Sequence, residues 1–231
     1  MSDNAAIPIH MGLVLDGNRR WAKQNGLPVV QGHRHGMDVL KDISFHAFER
    51  GVKYLSAFVF STENWQRAEE EVNYLMDLTV KAVEKYLDEF HERGIKVIIM
   101  GRRSGVRQKV LDAIDRTEEK TKDNTGGTLV LCFNYGGREE LVDAVQNIVA
   151  EGHSASDVTL DTLWSSLYRP EIPDIDLLIR TSGEQRTSGF MLYRAAYAEL
   201  KFLDKLWPDF TTTDFDDCMK DYVNRERRFG S

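Results

Sequence analysis

Three polar segments of this 231-residue chain combine residue types that can grip a phosphate. The first is Asp16-Gly17-Asn18-Arg19-Arg20-Trp21, which follows a short apolar run and opens a helix-like stretch. An aspartate in that place can hold Mg²⁺, which takes one or two carboxylates together with waters and phosphate oxygens. The free N–H groups of a helix start and the planar fork of Arg20 suit the oxygens of a phosphate. The same residues also read as an ordinary Asp-Gly turn capping a helix, and alone they lean slightly that way. The segment is neither a GxxxxGK loop nor a GxGxxG fingerprint, so nucleotide binding has no support.

The second segment shifts the balance. Arg180-Thr181-Ser182-Gly183-Glu184-Gln185-Arg186-Thr187-Ser188 places two arginines and several hydroxyls after a strand-like run. A solvated loop explains one arginine; two, with a glycine and hydroxyls, favour an anion site. Glu199 lies downstream as a possible second carboxylate for a metal. The third segment, Ser61-Thr62-Glu63-Asn64-Trp65-Gln66-Arg67, reads equally well as a helix-capping loop or as a mobile lid. The six histidines show no metal-ligand spacing. His33 lies close to the first segment and on the residues alone is structural.

Strand-like and helix-like stretches alternate around these segments. Strands are expected at 11–15, 53–60, 95–100, 128–134 and 176–180, and helices at 39–50, 69–92, 106–122, 138–150, 160–167 and 214–225, with 191–202 mixed. In 69–92, Val72, Leu75, Met76, Thr79, Val83, Tyr86, Leu87 and Phe90 recur at helical spacing. That stripe is either core or the lining of an apolar tunnel. Repeated β-then-α units predict an α/β fold, a central, mostly parallel sheet surrounded by helices. Ligands of such sheets bind beyond the carboxyl ends of the strands, where the polar segments lie.

The net charge of −7 argues against a general electrostatic grip on nucleic acid, so an anionic substrate needs a local basic cluster. Cys132 and Cys218 lack zinc-ligand spacing and read as reduced thiols. No run reaches the ~20 apolar residues of a membrane span, and residues 1–10 do not resemble a signal peptide. The expectation is one domain over 1–231, cytoplasmic, with peripheral contact at the inner face of the plasma membrane open.

Together and in this order, HMGLVLDGNRRWA at 10–22, GHRHG at 32–36, FSTENWQR at 60–67, FNYGGR at 133–138, IRTSGEQRTSGF at 179–190, YAEL at 197–200 and NRERRFG at 224–230 resemble the cis-prenyltransferase family. The resemblance implies a parallel sheet with a hydrophobic tunnel and repeated condensation of isopentenyl diphosphate with an allylic diphosphate such as farnesyl diphosphate. It implies Mg²⁺ on Asp16 and Glu199. Gly17, Asn18, Arg19, Arg20, Trp21 and His33 would bind the allylic diphosphate, and Arg180, Arg186 and Ser188 that of isopentenyl diphosphate. Ser61, Thr62, Glu63, Asn64, Trp65, Arg67 and Glu71 would form the mobile loop, with Asn64 and Asp16 catalytic. Arg228-Phe229-Gly230 would reach a partner's active site, which implies a homodimer.

The product expected from the resemblance is long, undecaprenyl diphosphate for a cell-wall lipid carrier. A short- or medium-chain synthase is the alternative, since Val59 and Phe133 look bulky for a tunnel wall. A non-catalytic partner subunit, or a generic phosphate-binding module or hydrolase, are alternatives of other classes. Val29, Ala68, Tyr193, Arg194 and Lys201 depart from common family residues, and the last three are expected to retune an interface.

Overall fold

The computed structural model describes residues 7–225. Six strands, β1 (His10–Val14), β2 (Tyr54–Ser61), β3 (Ile95–Met100), β4 (Gly127–Tyr135), β5 (Leu177–Arg180) and β6 (Glu199–Phe202), form one sheet in the order β3-β4-β2-β1-β5-β6. Every pairing is parallel. The helices are α1 (Asn18–Gln24), α2 (Val29–Glu49), α3 (Glu69–Glu92), α4 (Gln108–Thr121), α5 (Gly137–Ala150), α6 (Leu160–Ser166) and α7 (Thr212–Val223). A 3-10 turn, Thr62–Gln66, joins β2 to α3.

Alternation along the strands divides the core. Met11, Leu13, Leu55, Ala57, Val97, Leu129, Leu177 and Ile179 pack with residues of α2, α3 and α7 on one face. Val14, Ile98, Met100, Val130, Cys132 and Leu178 pack on the other, with Ile172, Ile175, Phe190 and Met191. Period-two side chains buried on both faces are what a covered parallel sheet requires. Both cysteines are free and buried.

Three elements differ from expectation. Helix α2 starts ten residues early, at Val29, because Gly32 and Gly36 are contact points rather than breaks: an added Cβ would sit 2.2 Å from Asn18 O at Gly32 and 2.2 Å from Asn18 Oδ1 at Gly36. The mixed stretch ends in β6, which extends the sheet beside β5. Arg194 faces the interior, not an interface. It is 1% exposed, pairs with Glu140 at 2.9 Å and donates to the carbonyls of Ile172, Tyr168 and Arg169. A buried charge so fully hydrogen-bonded fixes the 168–172 segment.

Candidate functional site

The register brings the first two polar segments together. Val14 of β1 lies level with Arg180 of β5 and Phe58 of β2. From β1 the chain first builds the β2-β4-β3 side and then returns to β5 and β6 on the other side, so strand order reverses between β1 and β5. Asp16 and Arg180 stand at that switch point, where open parallel sheets bind ligands.

Gly17 turns the chain from β1 into α1 at φ 115, and a Cβ there would touch Leu206 at 3.0 Å, so only glycine fits. The main chain of Asp16 is held on two sides, its carbonyl accepting from Trp207 N at 3.0 Å and Thr181 Oγ1 at 2.7 Å. Its carboxylate accepts from Arg180 Nη2 at 2.8 Å and lies 3.5 Å from Arg20. Burial would raise the Asp16 pKa, but hydrogen bonds from Arg180 and Ser182 and the Arg20 charge outweigh it and hold the group below the usual carboxylate range. Asp16 is therefore ionised at neutral pH.

Arg180 is buried and also donates to Ser188 Oγ at 2.8 Å and to the Arg186 carbonyl at 2.6 Å. Arg20 reaches across the crevice to the carbonyl and hydroxyl of Ser182. Ser182 and Ser188 both hold left-handed backbone, φ 83 and 51. Strain at two positions of one short loop marks a segment shaped by its surroundings for a site.

Behind the far wall stands Glu71 of α3. Arg67 donates to it at 2.9 Å, His33 Nε2 lies 3.6 Å away and Arg19 3.8 Å away. Burial, with the Arg67 charge adding, pushes the His33 pKa down to about 4 despite Glu71. His33 is thus neutral near pH 7. Its Nε2, the Nε of Arg180 and the Oδ1 of Asn18 are buried without a hydrogen-bond partner. Unsatisfied buried polar atoms are costly, and the two nitrogens are suited to anion oxygens supplied from outside.

These groups open onto a cavity of about 860 Å³ between the sheet and helices α2 and α3. Asp16, Gly17, Asn18, Arg19, Arg20, His33, Ser61, Glu63, Asn64, Arg67, Arg180 and Ser188 line its polar part. Leu40, Leu75, Leu78, Val83, Tyr86, Phe90, Val97, Ile99, Leu129 and Leu131 line its apolar depth, with Val59 and Phe133 in the wall. The α3 stripe is therefore both core and cavity lining: Leu75, Tyr86, Leu87 and Phe90 are buried and also border the cavity.

Other expected residues stand apart from the lining. Trp21 stacks on His35 at 4.8 Å and donates to Asp209 at 2.7 Å. Thr62 and Trp65 lie behind the turn that presents Asn64, and Glu71 stands behind Arg67 and His33. The side chain of Arg186 is 60% exposed and pairs with Glu184 at 2.5 Å. Glu199, at the start of β6, is level with Leu177 and Met11 and pairs with Arg225. At ~3.3 Å per residue it lies roughly 10 Å below Val14 along the strands, too far to share an ion with Asp16 of the same chain. Arg228, Phe229 and Gly230 lie outside the described residues.

The residues present fit a hard cation that brings much of its own shell. Among the described residues no cluster of three or more His, Cys, Asp or Glu side chains could hold a metal. The ionised carboxylate of Asp16, at the switch point, faces a crevice rich in phosphate-binding groups, the donor set Mg²⁺ accepts when waters and substrate oxygens complete its shell. Sequence reasoning missed Thr181, Ser182 and Trp207 as supports of this site. Ser182 and Thr181 sat unresolved within a polar loop, and nothing local marks Trp207, which the fold alone brings to Asp16.

A family model described as putative undecaprenyl diphosphate synthase matches residues 14–230. An isoprenyl transferase of Thermotoga maritima is 47% identical over 97% of both chains. The trans,polycis-polyprenyl diphosphate synthase ((2Z,6E)-farnesyl diphosphate specific) of Thermobifida fusca is 46% identical over 97% of this chain and 81% of its own. Among solved structures, lavandulyl diphosphate synthase from Lavandula x intermedia in complex with dimethylallyl diphosphate superposes with TM-score 0.94 at 33% identity, covering 97% of this chain and 99% of that one. A probable undecaprenyl diphosphate synthase from Campylobacter jejuni gives 0.83 at 28% identity, covering 98% and 100%. The fold thus has close counterparts among solved structures, and the chain belongs to the undecaprenyl diphosphate synthase family of cis-prenyltransferases.

Proposed function

We propose that the chain condenses isopentenyl diphosphate with an allylic diphosphate, probed best by farnesyl diphosphate, to a Z-polyprenyl diphosphate of undecaprenyl length. The observation that carries this reading is the Arg180–Asp16 contact of 2.8 Å, which joins two arginine-rich loops at the mouth of an apolar cavity. The start of α1 offers Arg19, Arg20 and the Gly17–Arg20 main chain, and α2 offers His33, to the allylic diphosphate. The Asn18 side chain contributes to the turn itself, since its amide nitrogen donates to Leu15 O at 3.1 Å. The 180–188 loop offers Arg180, Arg186 and Ser188 to isopentenyl diphosphate.

Condensation forms a carbon–carbon bond, breaks the allylic carbon–oxygen bond and releases diphosphate and a proton. Charge builds on the leaving diphosphate, and cations already fixed in place stabilise it without reorganisation. Mg²⁺ held by Asp16 would supply Lewis acidity to that leaving group. The hydrocarbon tail enters the apolar depth, where burial contributes about 0.8 kcal/mol per CH₂. Asn64 and Arg67 close over the polar mouth, excluding water from the reacting carbon.

A homodimer and one domain over 1–231 complete the proposal. Helix α5 leaves Val142, Val145 and Val149 exposed on one stripe, and Leu192, Tyr197 and Leu200 are exposed near the open β6 edge. Within one subunit Glu199 cannot reach Asp16, so its metal role would require a second copy. No helix among the described residues is long and apolar enough to cross a membrane. A cytoplasmic enzyme with peripheral access to the inner membrane face, delivering a cell-wall lipid carrier, fits that reading. The bulk of Val59 and Phe133 at the cavity wall favours the short- or medium-chain alternative. Reversed-phase chromatography of the product formed from farnesyl and labelled isopentenyl diphosphate decides. An undecaprenyl chain supports the proposal, and a product stopping after a few additions overturns its length.

A further inference from the structure

Asn134 lies in the segment Phe133-Asn134-Tyr135-Gly136-Gly137-Arg138, beside the cavity-wall residue Phe133. Asn134, the penultimate residue of β4, has left-handed backbone, φ 50, and is 3% exposed. Its carboxamide is fully used. Nδ2 donates to the carbonyls of Arg102, at 2.8 Å, and Ser104, at 3.1 Å. Oδ1 accepts from the indole Nε1 of Trp65 at 2.7 Å. Because those carbonyls only accept and an indole N–H only donates, a flipped amide would lose all three bonds. Its orientation is thereby set by its partners.

We propose that Asn134 is a positioning residue for the turn that carries Asn64. This rests on the catalytic reading of the 61–67 segment given above. The turn Thr62–Gln66 has no buried residue of its own and so little packing to hold it. Trp65 supplies the anchor. Its ring meets Phe60 edge-on at 5.3 Å, and its N–H is held by Asn134. Asn64, one residue earlier, accepts from Ser61 N at 3.2 Å and lines the cavity mouth. Gly136 backs the same turn, since a Cβ there would lie 2.5 Å from Thr62 Oγ1. Further along, Gly137 N donates to the Gly189 carbonyl at 3.1 Å, next to Ser188. One short segment at the end of β4, 134–137, therefore braces both the Asn64 turn and the Arg180–Ser188 loop. Without the Asn134 acceptor the indole N–H turns to water, and Asn64 loses its fixed distance from the reacting carbon.

The rival explanation is that Asn134 only closes the 101–104 loop. Three variants of the full-length enzyme separate the two. Asn134→Gly keeps the positive φ without strain and removes the carboxamide. Trp65→Phe keeps a ring on Phe60 and removes the donor. The third variant combines them. Steady-state kinetics and amide hydrogen exchange are measured for each. We expect each single variant to lower kcat by about ten- to a hundredfold, as misplacement of a catalytic group does, with a smaller change in KM for isopentenyl diphosphate. The double variant falls no further than the worse single, and exchange rises across 61–68 in both singles. Losses that multiply in the double, or unchanged exchange at 61–68 in Asn134→Gly, overturn the proposal. If Asn134→Gly does not fold, Trp65→Phe decides, because it leaves every bond of the 101–104 loop in place: exchange at 61–68 must rise and kcat must fall more than KM changes. If the wild type forms no product, the functional reading fails, while the exchange arms still decide whether Asn134 holds the turn.

Discussion

Carboxylates hold the arginines of the crevice in place without cancelling their charge. Arg180 and Arg20 face Asp16, while Arg19, Arg67 and His33 face Glu71. Each diphosphate would therefore enter a crevice whose cations are already in place, which limits the reorganisation binding demands. The neutral histidines give a pH prediction. Burial holds both His10 and His33 down at about 4, against an ordinary value of 6.5. Below pH 6.5 the unfolded chain binds protons at these positions and the folded chain does not. Stability is thus fully present above that value and falls as the pH drops toward 4. His10 is fully buried between the Pro173 carbonyl and Ser56 Oγ, away from the crevice. In His10→Gln the loss of the urea midpoint between pH 7 and pH 5 is expected to be visibly shallower than in the wild type. Equal slopes would show that His10 is not held neutral.

At the scale of elements, close packing transmits to the cradle. Gly32 of α2 lies so near α1 that a methyl would stand 2.2 Å from Asn18 O. Backbone cannot yield cheaply, and overpacking of this kind costs about 1–3 kcal/mol. Gly32→Ala should push α1 out of register with β1. Steady-state kinetics should then show KM for the allylic diphosphate rising by about tenfold, with KM for isopentenyl diphosphate, for which the 180–188 loop is the proposed site, moving much less. Val59 tests the cavity wall in turn. Val59→Ala is expected to shift the product distribution to longer chains on chromatography, and an unmoved distribution would remove Val59 from length control. Both predictions concern elements that were unevenly legible in the sequence. Strands β1 to β5 and helix α3 follow from apolar periodicity and their glycine ends. The first ten residues of α2 did not, because Gly32 and Gly36 look like breaks until α1 is seen resting on them. Edge strand β6 did not either, since its four residues are only half covered and carry no buried-strand signature.

At the scale of the molecule, the sheet order decides what the site is. Asp16 and Arg180 are 164 residues apart and meet because β1 and β5 are parallel neighbours. Residue types alone suggested two phosphate-binding loops; their union needed either the family resemblance or the fold. Within one chain Glu199 pairs with Arg225 and does not face Asp16, so its proposed metal role calls for a second copy. Association should restore what one chain lacks. Val145→Glu, on the exposed stripe of α5, is expected to convert a dimer to a monomer in sedimentation velocity and to reduce turnover. A wild type that sediments as a monomer, with full activity, would contradict the dimer. The central claim is that Asp16 joins two diphosphate sites in one condensing enzyme. The most direct measurement is incorporation of labelled isopentenyl diphosphate into butanol-extractable product with farnesyl diphosphate and Mg²⁺, comparing wild type with Asp16→Ala. Steady incorporation by the wild type, lost on chelation, and a fall of at least about a hundredfold in a folded Asp16→Ala are expected. Incorporation by Asp16→Ala at the wild-type rate, or none by the wild type, would contradict the claim.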